Sequence, residues 1–218
     1  MKIHDFSREK SILNAYIAQL RDVDIQKDRM RFRRNLSRVG EILGYELSRE
    51  LEYDVRQVVT PLGVKPCVLP KDPLVVCSIL RAGLPLHEGL LNRFDDAQNT
   101  FISAYRRHRE GSHDFDIVVE YVASPSLEGK VLVIADPMLA TGSSIIAVFE
   151  ALKKYGTPKS VHIVSVIGST QGVDNLAKHF ASQPAQLWIA TVDDTLNQDK
   201  YIVPGLGDAG DLAFGDKL

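Results

Sequence analysis

Short, continuously apolar segments alternate with segments of helical periodicity from residue 74 onward. Between the apolar segments, hydrophobic residues recur every three or four positions, as on the buried face of a helix. Continuous apolar strands separated by helices are typical of a parallel sheet that is covered on both faces. The pattern therefore predicts an α/β fold, in which ligands bind beyond the carboxyl ends of the strands. The predicted strands are 74–79, 101–105, 117–122, 131–135, 161–167 and 187–192, and the clearest helices between them are 145–155 and 172–180.

An amphipathic helix is predicted over residues 28–50, where apolar side chains form one stripe. The stripe consists of Phe32, Leu36, Val39, Leu43 and Leu47. The same segment is basic, and its cationic residues are Lys27, Arg29, Arg31, Arg33, Arg34 and Arg38. Such residues form either a patch for nucleic acid or an anionic effector, or a solvated helix face or subunit contact. The formal net charge is −2, so we favour the second interpretation and expect no nucleic-acid partner.

Length and composition predict one soluble domain. The chain has 218 residues, of which 44% are hydrophobic and 25% are charged, enough for one well-buried core. Its start has no apolar signal segment, and no apolar run approaches the roughly 20 residues that cross a bilayer. Cys67 and Cys77 lack the spacing of a zinc site, and Cys77 lies in an apolar run. We therefore expect a cytoplasmic protein with reduced thiols and no membrane partner.

The most informative segment follows the fourth predicted strand. This strand delivers one carboxylate, Asp136, and a helix then begins near Thr141, Gly142, Ser143 and Ser144. Hydroxyl side chains and free backbone N–H groups at a helix N-terminus bind phosphate, and an acidic residue nearby can hold ribose hydroxyls. The alternative is structural, with Thr141 or Ser143 only capping the helix and Asp136 serving as a turn residue. The segment is not a Walker A loop, because no lysine follows the glycine, and it is not a dinucleotide fingerprint.

Two further strand ends carry arginine. Arg81 and Gly83 follow the first predicted strand, just before a helix expected near Pro85. An arginine fork binds a diphosphate in bidentate fashion, although Arg81 alone is also consistent with a surface ion pair. Arg106 ends the second predicted strand and precedes a basic loop over 107–113. That loop is either a lid that closes positive charge over a polyphosphate or a solvated connection.

The segment 201–211 combines three glycines and a proline with apolar residues, and it predicts neither a helix nor a plain strand. Such a segment exposes backbone donors and acceptors, which could read the edge of a small planar base. The alternative is a flexible C-terminal loop. This alternative is weakened by Tyr201, Ile202 and Phe214, whose apolar side chains favour burial.

Four strings together resemble one known family. The string ADPMLATGSS at 135–144 resembles the 5-phosphoribosyl 1-diphosphate (PRPP) loop of type I phosphoribosyltransferases, in the form of their uracil branch, with Pro137 in place of a second acid. The same branch is similar at three other strings, namely ILRAG at 79–83, YIVPGLGDAGD at 201–211 and DRMRFRRNL at 28–36, so the likeness covers nearly the whole chain. Two features depart from the family pattern. Ser143 replaces a second glycine, and the loop after Arg106 lacks the usual acidic stretch.

The resemblance implies that uracil and PRPP react to give UMP and diphosphate, with Mg²⁺ bound mainly through PRPP. It implies a single domain over 1–218, with a parallel-sheet type I phosphoribosyltransferase core over about 70–195. A small hood would consist of the N-terminal helical segment 1–69 and the C-terminal base-binding segment 196–218. Independently of the family, we expect a symmetric homo-oligomer, a dimer or larger.

The resemblance also implies a role for each matching residue. Three of them would be catalytic: Arg81, Asp136 and Asp208. Uracil would contact Ile202, Gly207, Asp208 and Ala209, largely through backbone atoms. PRPP would contact Arg81, Arg106, Asp136, Pro137, Met138, Leu139, Ala140, Thr141, Gly142, Ser143, Ser144 and Asp208.

Two alternatives remain open beside this function. The first is a phosphoribosyltransferase for another base, although the tail string argues against purines. The second is a regulatory protein that binds PRPP without turnover and uses its basic helix on RNA, although the chain has no basic excess. The histidines lack metal-ligand spacing and there is no G-x-S-x-G elbow, so we expect neither a protein-held metal nor a nucleophilic hydrolase.

Overall fold

The computed structural model describes residues 1–108 and 115–217, with the backbone alone for residues 105–108 and 115–116. The strands are β1 (Lys2–Asp5), β2 (Tyr53–Thr60), β3 (Gly63–Pro70), β4 (Leu74–Leu80), β5 (Gln98–His108), β6 (Phe115–Ala123), β7 (Val131–Ala135), β8 (Met138–Leu139), β9 (Ser160–Ser169), β10 (Ala185–Asp193), β11 (Thr195–Leu196) and β12 (Ile202–Val203). The α-helices are α1 (Leu13–Arg21), α2 (Arg29–Ser48), α3 (Gly83–Leu91), α4 (Ser143–Leu152), α5 (Thr170–His179) and α6 (Ala209–Phe214). Short 3₁₀ turns lie at Ile25–Lys27 and Lys153–Tyr155.

The central sheet has the strand order β1–β10–β9–β7–β4–β5–β6, and the short strand β8 pairs with β9. All of these pairs are parallel except β5 with β6. The predicted α/β fold with a mostly parallel sheet is therefore confirmed. The prediction is wrong for the strand at 117–122, because β6 is antiparallel to β5. Residues 109–114 between them are too few for the dozen or more residues of a parallel crossover.

Helices cover both faces of the sheet, and consecutive strand residues are buried against opposite layers. On the face of α2 and α3, Val76 packs in the same cluster as Leu36. On the face of α4 and α5, the neighbouring Val75 packs in the cluster of Leu176. A strand that is buried on both faces has no polar side to alternate with its apolar side. This double burial explains the uninterrupted apolar segments of the sequence.

The predicted amphipathic helix is confirmed as α2. Its apolar stripe is at most 1% exposed, and Asp28 caps its N-terminus by accepting a hydrogen bond from the backbone N–H of Arg31. The basic face is partly used within the chain, since Arg33 donates a 2.7 Å hydrogen bond to the carbonyl oxygen of Ala213 in α6. The helix thus joins the N-terminal segment to the C-terminal one.

The N-terminal segment differs from the predicted helical hood in two places. Strand β1 forms an edge of the central sheet, paired in parallel with β10. Strands β2 and β3 form an antiparallel hairpin over residues 53–70, which we call the ribbon. Almost every residue of the ribbon is exposed to solvent. Residues 1–69 therefore contain helices, an edge strand of the core and a projecting hairpin.

Across the two described ranges, no helix has the length and apolar character needed to cross a membrane. Both cysteines are free thiols, with Cys77 buried in β4 and Cys67 half-buried on the ribbon. Burial raises the pKa of the Cys77 thiol far above its ordinary value, so this thiol stays protonated and unreactive.

Candidate active site

Two of the predicted site segments leave neighbouring strands at the same edge of the sheet. Strands β4 and β7 are paired in parallel, with Ser78 opposite Ala135. Arg81 follows β4 after a cis peptide bond, and Asp136 directly follows β7. The carboxyl ends of parallel strands meet at one edge, so the arginine and the carboxylate share a crevice, as the sequence predicts.

Arg81 is held on one side and leaves one donor without a partner. Its Nη2 lies 2.8 Å from Oδ1 of Asp211, and both side chains are about one third exposed. The Nε atom of Arg81 is buried and has no hydrogen-bond partner among the residues that the structure describes. Exposed ion pairs contribute at most about 1 kcal/mol, so an incoming anion can replace Asp211. Arg81 thus forms an ion pair, which was one of the two interpretations of the sequence. Its guanidinium is also partly exposed and could bind a ligand in place of Asp211.

Residues 136–144 form the predicted loop, which we call the phosphate loop. Its first part contains a short strand that the sequence does not predict, since Met138–Leu139 forms β8, which pairs with β9. Asp136 is partly exposed, and its Oδ1 accepts a hydrogen bond from the backbone N–H of Met138 at 3.2 Å. The side chains of Leu139 and Ala140 are buried in the core, so these residues can reach a ligand only through backbone atoms.

The second part of the phosphate loop opens helix α4. Gly142 is the N-cap residue, with a φ of 80°, and it has no side chain to cap the helix. The hydroxyl of Thr141 accepts a 3.3 Å hydrogen bond from the N–H of Ser143 and donates to the Ser143 hydroxyl. The capping alternative is therefore right that the Thr141 side chain bonds the first N–H of the helix, and wrong about the N-cap residue, which is the glycine. Of the N–H groups at this helix start, the Thr141 hydroxyl bonds only that of Ser143, and a helix start with further N–H groups and two hydroxyls is suited to a phosphate dianion.

Three residues that sequence reasoning missed hold the phosphate loop in place. Ser169 donates a 2.6 Å hydrogen bond to the carbonyl oxygen of Ala140, and Asn175 donates a 3.1 Å one to that of Thr141. Gly172 lies so close that an added Cβ would be 2.4 Å from the Ala140 oxygen. Their position in the sequence could have revealed them, because Ser169 ends β9 and the other two residues lie in α5 directly after it, at the same edge of the sheet.

The C-terminal segment is more regular than predicted. Strand β12 pairs with β11, and α6 begins after Asp208, whose Oδ1 accepts hydrogen bonds from the N–H groups of Gly210 and Asp211. The prediction of neither helix nor strand is therefore wrong at both ends of the segment. Burial is confirmed for Ile202, which is 4% exposed, and is wrong for Tyr201 and Phe214, which are 41% and 40% exposed.

The predicted base-binding residues are only partly brought together. Gly207 and Asp208 line a cavity of about 460 Å³, together with Asp211 and with Gln26, Lys27 and Arg29. The side chains of Ile202 and Ala209 are buried in the core, so contact with a base would use their backbone. Because Asp211 also binds Arg81, the C-terminal segment lies beside the crevice of the strand ends.

The second arginine site is only partly described. Strand β5 continues through Arg106 to His108, so Arg106 is not at a strand end as predicted, and it pairs with Ile117. Its side chain and residues 109–114 of the predicted lid lie outside the described part of the chain. Over the described ranges, no group of three or more His, Cys, Asp or Glu residues could hold a metal ion.

Known proteins provide an independent comparison. The family model described as Uracil phosphoribosyltransferase matches residues 7–216. A Uracil phosphoribosyltransferase from Porphyromonas gingivalis is 50% identical over 218 residues, which cover both chains completely. One from Methanococcus vannielii is 40% identical over 196 residues, which cover 88% of this chain and 82% of that one.

A solved structure agrees with the sequence relatives. A protein from Aquifex aeolicus has a similar structure, with a TM-score of 0.86 and 28% identity over 98% of both chains. The resemblance of the four strings is thus confirmed over almost the whole length, including the C-terminal segment. The chain belongs to the uracil phosphoribosyltransferase family.

Proposed function

We propose that this chain transfers the ribose 5-phosphate group of PRPP to uracil, giving UMP and diphosphate in pyrimidine salvage. One observation carries the proposal beyond family membership. An anion-binding helix start, a carboxylate and an arginine with an unpaired donor lie at the ends of two neighbouring strands, beside the C-terminal segment. PRPP needs these groups, because it has a 5′-phosphate, ribose hydroxyls and a diphosphate.

The phosphate loop would bind the sugar end of PRPP. The backbone N–H groups at the start of α4, with Thr141, Ser143 and Ser144, would hold the 5′-phosphate. Asp136 would accept hydrogen bonds from the ribose hydroxyls, as acidic residues do in dinucleotide sites. The remaining residues of the loop, Pro137, Met138, Leu139, Ala140 and Gly142, would contribute backbone atoms and the shape of the loop.

Arg81 would bind the departing diphosphate through its partly exposed guanidinium, once the diphosphate replaces Asp211. The bond from C1 of the ribose to the diphosphate oxygen breaks as a bond from C1 to a uracil nitrogen forms, and that nitrogen gives up its proton. Charge builds up on the leaving oxygen while the ribose acquires oxocarbenium character, as in glycoside cleavage. A fixed guanidinium donor aimed at that oxygen lowers the barrier because it needs no reorganisation during the reaction.

The base would lie against the C-terminal segment. Gly207 is exposed and Asp208 is half-buried at the wall of the cavity, so their backbone groups can pair with the edge of uracil. The Oδ1 atom of Asp208 already caps α6, which fixes this residue in position. Backbone donors and acceptors in fixed positions discriminate between bases, because a base with the wrong pattern leaves them unpaired.

Mg²⁺ fits this site as an ion bound mainly through PRPP. Magnesium in phosphate-binding sites typically has one or two protein carboxylates and completes its shell with substrate oxygens and water. Asp136 is the carboxylate that would contact it, together with the ribose hydroxyls and the diphosphate of PRPP. When bound, the ion would neutralise part of the charge of the leaving diphosphate.

The test is UMP formation from labelled uracil with PRPP and Mg²⁺, with cytosine, hypoxanthine, adenine and orotate assayed in parallel. We expect product with uracil alone. Product with a different base only would show that the enzyme catalyses the proposed type of reaction on that base and not on uracil. No product with any base, together with measurable PRPP binding, would refute the enzyme and favour a PRPP-binding regulator. RNA binding at low salt would be measured in the same series.

We also propose that the protein is a homo-oligomer and that the ribbon contacts a second copy of this chain. Residues opposite each other in the hairpin share a face, and one face carries Val55, Val59, Val64 and Val68, which are 63% to 81% exposed. A two-stranded hairpin is marginally stable by itself in water, and such an apolar face favours burial. A second copy in a symmetric dimer would cover both ribbons equally.

Light scattering coupled to size exclusion tests this assembly with a matched pair of variants. Val59→Glu places a charge on the apolar face and should give monomers. Val58→Glu places the same charge on the other face, opposite Lys65, and should elute like the wild type. A monomeric wild type, or an oligomeric Val59→Glu variant, would refute the assignment.

We assign the enzyme to the cytoplasm, because two free thiols suit a reducing compartment.

A further inference from the structure

A buried ion pair joins the N-terminal segment to the end of the central sheet. Arg21 is the last residue of α1, and Asp193 is the last residue of β10. Two 2.7 Å hydrogen bonds run from the guanidinium to the two carboxylate oxygens. The Arg21 side chain is 24% exposed and that of Asp193 is 8% exposed, so the pair lies largely away from water. Bidentate geometry of this kind fixes direction as well as distance.

The same pair holds both backbone groups of Gly205, in the C-terminal segment. Oδ2 of Asp193 accepts a hydrogen bond from the Gly205 N–H, and Nη1 of Arg21 donates to the Gly205 carbonyl oxygen, each at 2.9 Å. Gly205 has a φ of 61°, and an added Cβ would be 2.1 Å from the carbonyl oxygen of Ile202. The turn at this position therefore admits no side chain, and its orientation is set by the ion pair.

The carboxylate is ionised under ordinary conditions. Burial would raise the pKa of Asp193, but hydrogen bonds from Arg21 and from the Gly205 N–H outweigh it and hold the pKa below its usual range. The negative charge that strengthens the three hydrogen bonds accepted by Asp193 is thus present at neutral pH.

Stability alone gives a weak reason for this pair. Removing two charges from water costs several kcal/mol, and apolar pairs of similar volume are often equally stable in such places. An apolar pair cannot bind the N–H and the carbonyl of one residue at the same time. What the ion pair adds is the fixed path of the chain at Gly205, two residues before Gly207 at the wall of the cavity.

We propose that Arg21 and Asp193 are positioning residues for the base, and this inference rests on the proposed transfer to uracil. They act through Gly205 and set the backbone of residues 206–208, whose donors and acceptors would pair with uracil. Neither side chain forms a hydrogen bond to the phosphate loop or to Arg81 in the described part of the chain. Their loss should therefore impair the use of uracil far more than the use of PRPP.

The experiment measures kcat and the KM values for uracil and PRPP in four variants, with the melting temperature of each. Arg21→Lys keeps the charge and loses the bidentate fork. Asp193→Asn keeps the shape and loses the charge. The double variant Arg21→Met with Asp193→Leu replaces the pair by an apolar one. Arg49→Lys is the matched control, since Arg49 forms an exposed ion pair with Glu46 in α2.

We expect KM for uracil to rise about tenfold or more in the first three variants, with KM for PRPP within twofold and Arg49→Lys unchanged. The double variant leaves the buried N–H and carbonyl of Gly205 unpaired, so its melting temperature should fall. The decisive result is therefore a rise in its KM for uracil while its KM for PRPP is unchanged. A lower melting temperature with unchanged KM for uracil would reduce the pair to a structural role. Equal increases in both KM values would also overturn the inference. A wild type that forms no UMP would overturn the proposed function and this inference together, whereas normal variants of an active wild type overturn this inference alone.

Discussion

The contact between α5 and the phosphate loop makes a quantitative prediction for Gly172→Ala. Alanine is the better helix former by about 1 kcal/mol, so the substitution should not weaken α5 itself. Its new Cβ would lie 2.4 Å from the carbonyl oxygen of Ala140 and 2.7 Å from that of Leu139. Both oxygens belong to the backbone of the loop, so no side-chain rotation relieves the clash. The loop and the helix must move apart.

The size of this movement follows from the distances. Cβ atoms essentially never approach another heavy atom closer than 3.0 Å, so the gap to the Ala140 oxygen must widen by roughly 0.6 Å. A misplacement of about 1 Å at a reacting group can cost a factor of 100 in rate. A movement of roughly 0.6 Å therefore predicts a loss of about tenfold in kcat/KM for PRPP. The loss should fall mainly on PRPP, because the loop holds its 5′-phosphate.

Steady-state kinetics with PRPP varied at saturating uracil provide the assay. Gly44→Ala is the matched control, since it makes the same change in the buried face of α2, where the new Cβ would meet only the side chains of Leu90 and Arg93. Those side chains can shift, so we expect wild-type kinetics. Wild-type kcat/KM for PRPP in Gly172→Ala would refute the reasoning. Equal losses in both variants would show that the effect is not specific to the loop.

Three further predictions concern single residues. Arg81→Ala should lower kcat/KM for PRPP about 100-fold, because its guanidinium would act on charge that develops in the transition state, and an unchanged value would remove Arg81 from the mechanism. Ser143→Gly should keep activity within about threefold, since the backbone N–H is retained, and a larger loss in the UMP assay would assign the hydroxyl a direct role. The His162 pKa is lowered to about 4, mainly by burial, and its Nδ1 accepts a hydrogen bond from Trp188. As the pH falls, His162 is protonated in the unfolded chain before it is protonated in the folded one. The contribution of this residue to the free energy of unfolding is therefore complete above pH 6.5 and is lost towards pH 4. Urea titrations should show about 2 kcal/mol less stability at pH 5 than at pH 7 from this group, and His162→Gln should remove that difference if the reasoning holds.

The sequence predicts well those elements whose own pattern of apolar and polar residues shows which faces are buried. Helix α2 was predicted within two residues at each end, because one of its faces is apolar and buried in the core and the opposite face is polar. Strand β7 was predicted at its observed bounds, because both of its faces are covered. Periodicity encodes burial, so such elements are readable without knowledge of their neighbours.

The elements that the sequence conceals depend on contacts from elsewhere. Helix α6 has only six residues and begins among glycines, and it is held by the Asp208 cap and by the bond from Arg33 to Ala213. The ribbon has valines that the described residues leave exposed, and its prolines disfavour a strand assignment. Neither feature leaves a periodic signal.

The candidate site divides in the same way. Asp136 and the start of α4 are adjacent in sequence, so strand-end reasoning finds them together. The residues that hold them come from distant segments, since Ser169 lies 29 residues from Ala140 and Asp211 lies 130 residues from Arg81. Local patterns therefore predicted the groups that would touch PRPP and missed those that position them.

The pairing of β1 with β10 has a consequence for how the chain is made. Lys2 lies opposite Gln186, so β1 pairs with a strand that is synthesised about 180 residues later. At about 5 to 20 residues per second, β1 would wait roughly 10 to 40 s for its partner to be synthesised. Such long-range closure slows folding, because loop entropy must be overcome before the contact forms. The edge of the sheet is thus completed long after β1 has been synthesised, and changes in β1 should affect folding yield in the cell more than the chemistry of the folded enzyme.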